Sequence, residues 1–291
     1  MADLRLRRDE CLKREGAGDL RLRRRVTVPT SLPDRYLVGV SLKMYFSHAR
    51  TVEWCRAVAD IAQIHPAIVS KKAELFVFPD YLSVAAAREI FGDHVAVGVQ
   101  DLGTDDVGAF TGEVSGVTIA ELGCTMVEVG HAERRQMFGD SDAVVSAKMA
   151  AALRNALTPV LCVGEAIQGV PADAATECIR QFDDAMRIAH SAGQFGRIIV
   201  AYEPLWAIGA AEAASPGYIR AVCGAVRDHA RKQVGGSDTP VIYGGSAGPG
   251  LVTTMSNAID GVFLGRFAHD PTALAGILDE VIALAPALTH G

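Results

Sequence analysis

Three side chains in this sequence have the types and settings needed to move a proton on and off carbon: Lys43, His131 and Glu203. Glu203 follows the β-branched run Ile198-Ile199-Val200, which reads as a buried parallel strand. Pro204 cannot continue a ladder, so the strand stops and an apolar loop containing Trp206 and Gly209 begins. A carboxylate at a strand end, under a loop able to shut, suits a general base that works away from water. The alternative is a rim carboxylate held in a structural salt bridge. Lys43 supplies positive charge for an anionic substrate or a developing enediolate. His131 opens Ala132-Glu133-Arg134-Arg135, a candidate helical turn whose dipole favours a neutral imidazole donating to a carbonyl.

The elements that must position these groups repeat along the chain. Apolar runs at 36–42, 74–78, 95–99, 125–129, 159–163, from Ile198, at 240–243 and at 261–264 read as strands. Helical stretches separate them: one with Thr51 as N-cap, then 83–91, one ending at Gly123, 141–156, 172–192, 215–233 and a short one before the eighth strand. Pro271 opens the last helix. Eight strand–helix units without a pause predict an α/β fold, a single closed (β/α)8 barrel over residues 31–291. An open doubly wound sheet often carries G-x-G-x-x-G after its first strand; here that strand ends in Lys43.

Residues 1–30 differ in kind. They are Arg-rich and hold a near repeat, Asp3-Leu4-Arg5-Leu6-Arg7-Arg8 against Asp19-Leu20-Arg21-Leu22-Arg23-Arg24. They read as a short, poorly ordered N-terminal extension without a catalytic role. The net charge of −6 argues against nucleic acid as a partner, and no apolar run reaches the ~18 residues of a membrane span. Six scattered cysteines without C-x-x-C spacing, and no secretory apolar segment, predict reduced thiols in a cytoplasm. No histidine cluster has metal-ligand spacing, and neither a metal nor a cofactor is expected.

The strand ends of such a barrel converge on one face, which collects Lys43, Gln100, His131, Glu203, Ser246 and Gly265. Gly244-Gly245-Ser246 and Gly265 let backbone N–H groups approach an anion, and the loops after strands seven and eight are where barrels hold phosphate. A base, a neutral electrophile, a cation and a phosphate cradle describe proton abstraction α to a carbonyl in a small phosphorylated sugar.

The chain closely resembles the triosephosphate isomerase family over residues 35–288. The motifs are Leu42-Lys43-Met44, Gly108-Ala109-Phe110-Thr111-Gly112-Glu113, Gly130-His131-Ala132-Glu133-Arg134-Arg135, Cys162-Val163-Gly164-Glu165, Tyr202-Glu203-Pro204-Leu205-Trp206-Ala207-Ile208-Gly209 and Tyr243-Gly244-Gly245-Ser246. The resemblance implies a TIM barrel and a cofactor-free aldose–ketose isomerase, with Glu203 as base, His131 as electrophile and Lys43 as substrate-contacting cation; this family is itself a standard example of pKa tuning and loop closure. It further implies that Glu133 supports Lys43 and that Gly209, Ser246 and Gly265 contact phosphate. By the same resemblance Pro204, Leu205, Trp206, Ala207, Ile208, Gly209, Ala210, Ala211 and Glu212 form a lid. Phe110, Thr111 and Gly112 form a loop reaching into the second subunit of a homodimer, and Glu165 is structural.

Some positions depart from the family. Ser41-Leu42-Lys43-Met44-Tyr45 replaces the usual Asn-Trp-Lys-Met-Asn, so Ser41 frees space at the substrate's oxygen-bearing end. Ala132 stands where Ser is usual, and Ala210-Ala211-Glu212 replaces Thr-Gly-Lys. Gly265-Arg266 replaces Gly-Gly, where Arg266 either adds a cation to the phosphate or points away. Kept chemistry with a changed substrate end resembles the L-erythrulose 1-phosphate isomerases of erythritol breakdown. The alternatives are triosephosphate isomerase proper and a non-catalytic phosphosugar-binding barrel.

Overall fold

The computed structural model describes residues 35–210, 213–233, 239–255 and 258–284, so the basic extension expected at 1–30 lies outside the described residues. Eight parallel strands close into a barrel in chain order: β1 Tyr36–Ser41, β2 Ala73–Phe78, β3 Ala96–Val99, β4 Met126–Val129, β5 Thr158–Val163, β6 Ile199–Tyr202, β7 Val241–Tyr243 and β8 Gly261–Leu264. The ring shuts through β1 and β8, with Leu37 opposite Gly261 and Val40 opposite Leu264. The expected (β/α)8 barrel is therefore the one observed. Among the described residues no helix is long and apolar enough to cross a membrane.

Strand side chains alternate between two cores, as a period of two requires. Val38 and Val40 of β1, Val127 and Val129 of β4, and Val200 and Tyr202 of β6 face the helices. Leu37, Phe76, Phe78, Met126, Val160, Cys162, Ile199, Ala201, Ile242 and Phe263 fill the interior. Phe76, Phe78 and Phe263 pack together, with ring centroids 5.5–6.1 Å apart. A Cβ on Gly39 would lie 2.3 Å from the Phe76 ring, so glycine is required where β1 meets this cluster. The same alternation carries Ser41, Glu128, Cys162 and Glu203 to the inside at the strands' C-terminal ends.

The helices begin where polar caps allow. The helix His48–Ile64 is capped by Ser47, whose Oγ accepts from Arg50 N–H. This corrects the expected Thr51 cap. Thr51 lies one turn inside, buried, and its hydroxyl donates to the Ser47 carbonyl at 3.1 Å. Two hydroxyl residues four apart offer the same local signal, and burial selects the earlier as cap. A short helix at Pro66–Val69 was not expected from the periodicity.

Beneath the 101–114 loop, Lys148 Nζ donates to Asp101 at 2.7 and 2.8 Å and to Asp140 at 2.7 Å, and Arg134 Nε reaches both carboxylates. Lys148, Asp101 and Asp140 are all buried. Removing the buried cation leaves two buried carboxylates facing each other with only the partly exposed Arg134 between them. Lys148→Met is therefore expected to cost about 3–5 kcal/mol, read as a lowered denaturation midpoint with little change in the slope.

Candidate active site

One cavity of about 420 Å³ opens over the C-terminal ends of the strands. Lys43, Ser41 and Arg266 line it, as do His131, Glu133 and Glu203, and as do Gly209, Ser246 and Gly265. The residues expected to meet a substrate are thus brought together. Phe110, Thr111 and Gly112 lie elsewhere, exposed on the 101–114 loop. Ala211 and Glu212 of the expected lid lie outside the described residues.

Lys43 follows β1 directly and has a left-handed backbone, φ 50°. For a residue with a Cβ that conformation carries strain, which the surroundings must hold. Gln100 Nε2 provides a clamp, donating to the carbonyls of Lys43 and Phe78 at 3.0 Å each. Lys43 Nζ donates to Glu133 Oε1 at 2.6 Å. Burial alone would lower the Lys43 pKa. The Glu133 hydrogen bond and the charges of Glu133, Glu203 and Glu128 outweigh it and hold the ammonium above its ordinary value.

His131 caps the short helix Ala132–Met137, and its Nδ1 accepts from Glu133 N–H at 3.2 Å. A nitrogen that accepts carries no proton, so the ring proton sits on Nε2, which faces the interior. Nε2 lies 3.7 Å from Glu203 Oε2 and 3.9 Å from Glu128 Oε1. Glu203 is 6% exposed, and its Oε2 is buried without a hydrogen-bond partner. A desolvated carboxylate oxygen left free over a cavity is suited to receive a proton from a bound molecule. A Cβ at position 244 would sit 2.4 Å from Glu203 Oε1, so Gly244 gives that carboxylate its room.

The loop after β6 forms a single turn, Leu205–Ala207, and then lines the cavity with Ile208, Gly209 and Ala210. Ser246, also left-handed at φ 56°, directs its hydroxyl to the carbonyls of Ala207 at 2.7 Å and Ala210 at 3.0 Å. That hydroxyl therefore ties the loop after β6 to the end of β7. Glu165 anchors the start of this loop: it accepts from Trp206 Nε1 at 2.7 Å, from Tyr218 at 3.0 Å and from Tyr202. Arg266 lines the same cavity, its Nη2 3.7 Å from where a Cβ on Gly209 would lie.

Reading the sequence for strand ends overlooked Glu128. It lies inside β4, two residues after the inward-facing Met126, and is 3% exposed. Ser41 Oγ donates to its Oε2 at 2.9 Å. Burial, reinforced by the Glu203 charge and opposed by His131, Ser41 and Lys43, pushes its carboxyl up to about 7. The signal was present in the sequence: a lone acid in the apolar run 125–129, in phase with the interior face.

A sequence model described as triosephosphate isomerase matches residues 36–281. The chain belongs to the triosephosphate isomerase family. Among curated triosephosphate isomerase family relatives, an L-erythrulose-1-phosphate isomerase of Pectobacterium atrosepticum is 48% identical over 248 residues, covering 85% of this chain and 96% of the relative. A triosephosphate isomerase of a Synechococcus strain is 36% identical, covering 86% of this chain and 98% of the relative. One of Mycobacteroides abscessus is 37% identical, covering 80% and 92%. The family's isomerase chemistry on phosphorylated sugars is accordingly this chain's class of reaction.

Proposed function

We propose that this chain moves the carbonyl of a four-carbon phosphoketose, converting L-erythrulose 1-phosphate to D-erythrulose 4-phosphate. Glu203 takes the proton from C3, and the electron pair of that C–H bond forms the C2–C3 double bond of an enediolate. Lys43 and the Nε2–H of His131 stabilise the charge on the C2 oxygen. A proton passes from the C3 hydroxyl to the C2 oxygen, with His131 beside both. Glu203 returns its proton to C2, which leaves the ketone at C3. The backbone amides of Gly209, Ser246 and Gly265, with Arg266, hold the phosphate. No redox partner or cofactor is consumed.

The observation that carries the reaction is the unpartnered Glu203 Oε2 facing His131 Nε2 at 3.7 Å over the cavity. The substrate reading is supported by 48% identity to the erythrulose phosphate isomerase, against 36% and 37% to the two triosephosphate isomerases, and by Ser41 at the reacting end. Exposed Met44, Tyr45, Val107, Phe110 and Phe138 support a homodimer in which the 101–114 loop meets a second copy.

Incubation in D₂O with L-erythrulose 1-phosphate, followed by NMR, is expected to give the 4-phosphate with deuterium on carbon, and far faster turnover than dihydroxyacetone phosphate gives. Fast turnover of the three-carbon sugar with none of the four-carbon sugar would make this a triosephosphate isomerase. Exchange of neither would favour a binding protein.

A further inference from the structure

Relative to a three-carbon phosphoketose, a four-carbon one carries an extra hydroxymethyl group on the carbon that loses its proton. That group needs space beyond Glu203 and His131, and its hydroxyl needs a partner once desolvated. The phosphate cradle lies at the ends of β7 and β8, and β4 lies on the opposite side of the ring. A substrate laid from the cradle past Glu203 and His131 therefore ends towards β4. Glu128 stands there, directly behind Ser41 and His131 of the cavity wall.

On one side of Glu128 the interior core is apolar, built from Phe76, Phe78, Met126, Cys162 and Ala201, and on the other stand Ser41 and His131. A carboxyl in such a place costs folding stability that an aliphatic side chain would not. Its Oε2 is held by Ser41, the short residue on β1 that leaves room at this end of the cavity. Its Oε1 makes no hydrogen bond among the described residues and sits 3.9 Å from His131 Nε2, the atom placed to touch the reacting oxygens. Lys43 serves Glu133, so this acid is not the partner of the site's cation.

We infer that Glu128, held by Ser41, is the subsite for the terminal hydroxymethyl group of a four-carbon phosphoketose and selects it over a three-carbon substrate. This rests on the four-carbon reading above. Oε1 accepts from the terminal hydroxyl, and Ser41 gives the group its space. The three-carbon sugar lacks that hydroxyl and leaves Oε1 unpaired, which disfavours it.

The test measures kcat/KM for L-erythrulose 1-phosphate and for dihydroxyacetone phosphate in the wild-type protein and in Glu128→Leu and Glu128→Gln. Assayed well above pH 7, where the Glu128 carboxyl is ionised, a hydrogen bond to a charged group predicts that the four-carbon to three-carbon ratio falls about 10–100-fold in Glu128→Leu. It should fall by an intermediate factor in Glu128→Gln, which keeps the shape and one acceptor. Should the Leu variant fail to fold, the near-isosteric Gln variant decides alone. A ratio unchanged in the folded variants overturns the inference. So does an equal fall on both substrates, which would make Glu128 a support for His131. A wild-type protein that converts only the three-carbon sugar overturns the four-carbon reading itself, and the inference with it.

Discussion

Glu203→Gln is expected to lower kcat about 10³–10⁴-fold, equivalent to about 4–5.5 kcal/mol of barrier, with little change in KM. The amide has nearly the carboxylate's size, so the space that Gly244 leaves still accommodates it. It cannot accept a proton from carbon. The substitution also removes a buried charge whose Oε2 has no hydrogen-bond partner, so thermal stability should hold or rise slightly. Steady-state kinetics on the preferred sugar, solvent deuterium incorporation and a melting curve check all three expectations. A fall of less than tenfold would displace Glu203 as base. Attention would then move to Glu128, the other carboxylate within 4 Å of His131 Nε2.

His131→Asn is the second large effect. The histidine does two jobs that this substitution separates. Its Nδ1 caps the helix Ala132–Met137 by accepting from Glu133 N–H, and an asparagine at an N-cap accepts in the same way. Its Nε2–H faces the cavity and in the proposed reaction donates to the reacting oxygens, which the shorter asparagine would not reach. The helix, and with it Glu133 and its bond to Lys43, should therefore survive while the electrophile is lost. Removing one such donor costs about 10²–10³-fold in kcat. The decisive readout is the split between constants: kcat falls while the affinity for inorganic phosphate, held by the β7 and β8 loops, stays near wild type. Loss of both together would mean that His131 acts mainly as a structural cap.

Strand–helix alternation determined the barrel from sequence alone, since eight apolar runs separated by helical stretches have few other ways to bury both faces. It also placed Lys43, His131 and Glu203 at one end, because a parallel barrel puts every strand's C-terminus on the same rim. These are consequences of local periodicity and chain direction, and both are legible in one dimension. The cap at Ser47 was less so, since Thr51 offers the same chemistry and only burial distinguishes them.

Other features depended on contacts between residues far apart in the chain. Ser41 meets Glu128 across 87 positions, because β1 and β4 both turn those residues inward at the same height of the barrel. Which carbonyls take the Ser246 hydroxyl, and that Arg266 lies beside Gly209, follow from how the lid folds onto the β7 and β8 loops. A residue's type and its phase along a strand say which face it occupies. Only the closed ring, through the register between strands, decides which side chain stands opposite, and so turned an acid in an apolar strand into a neighbour of His131.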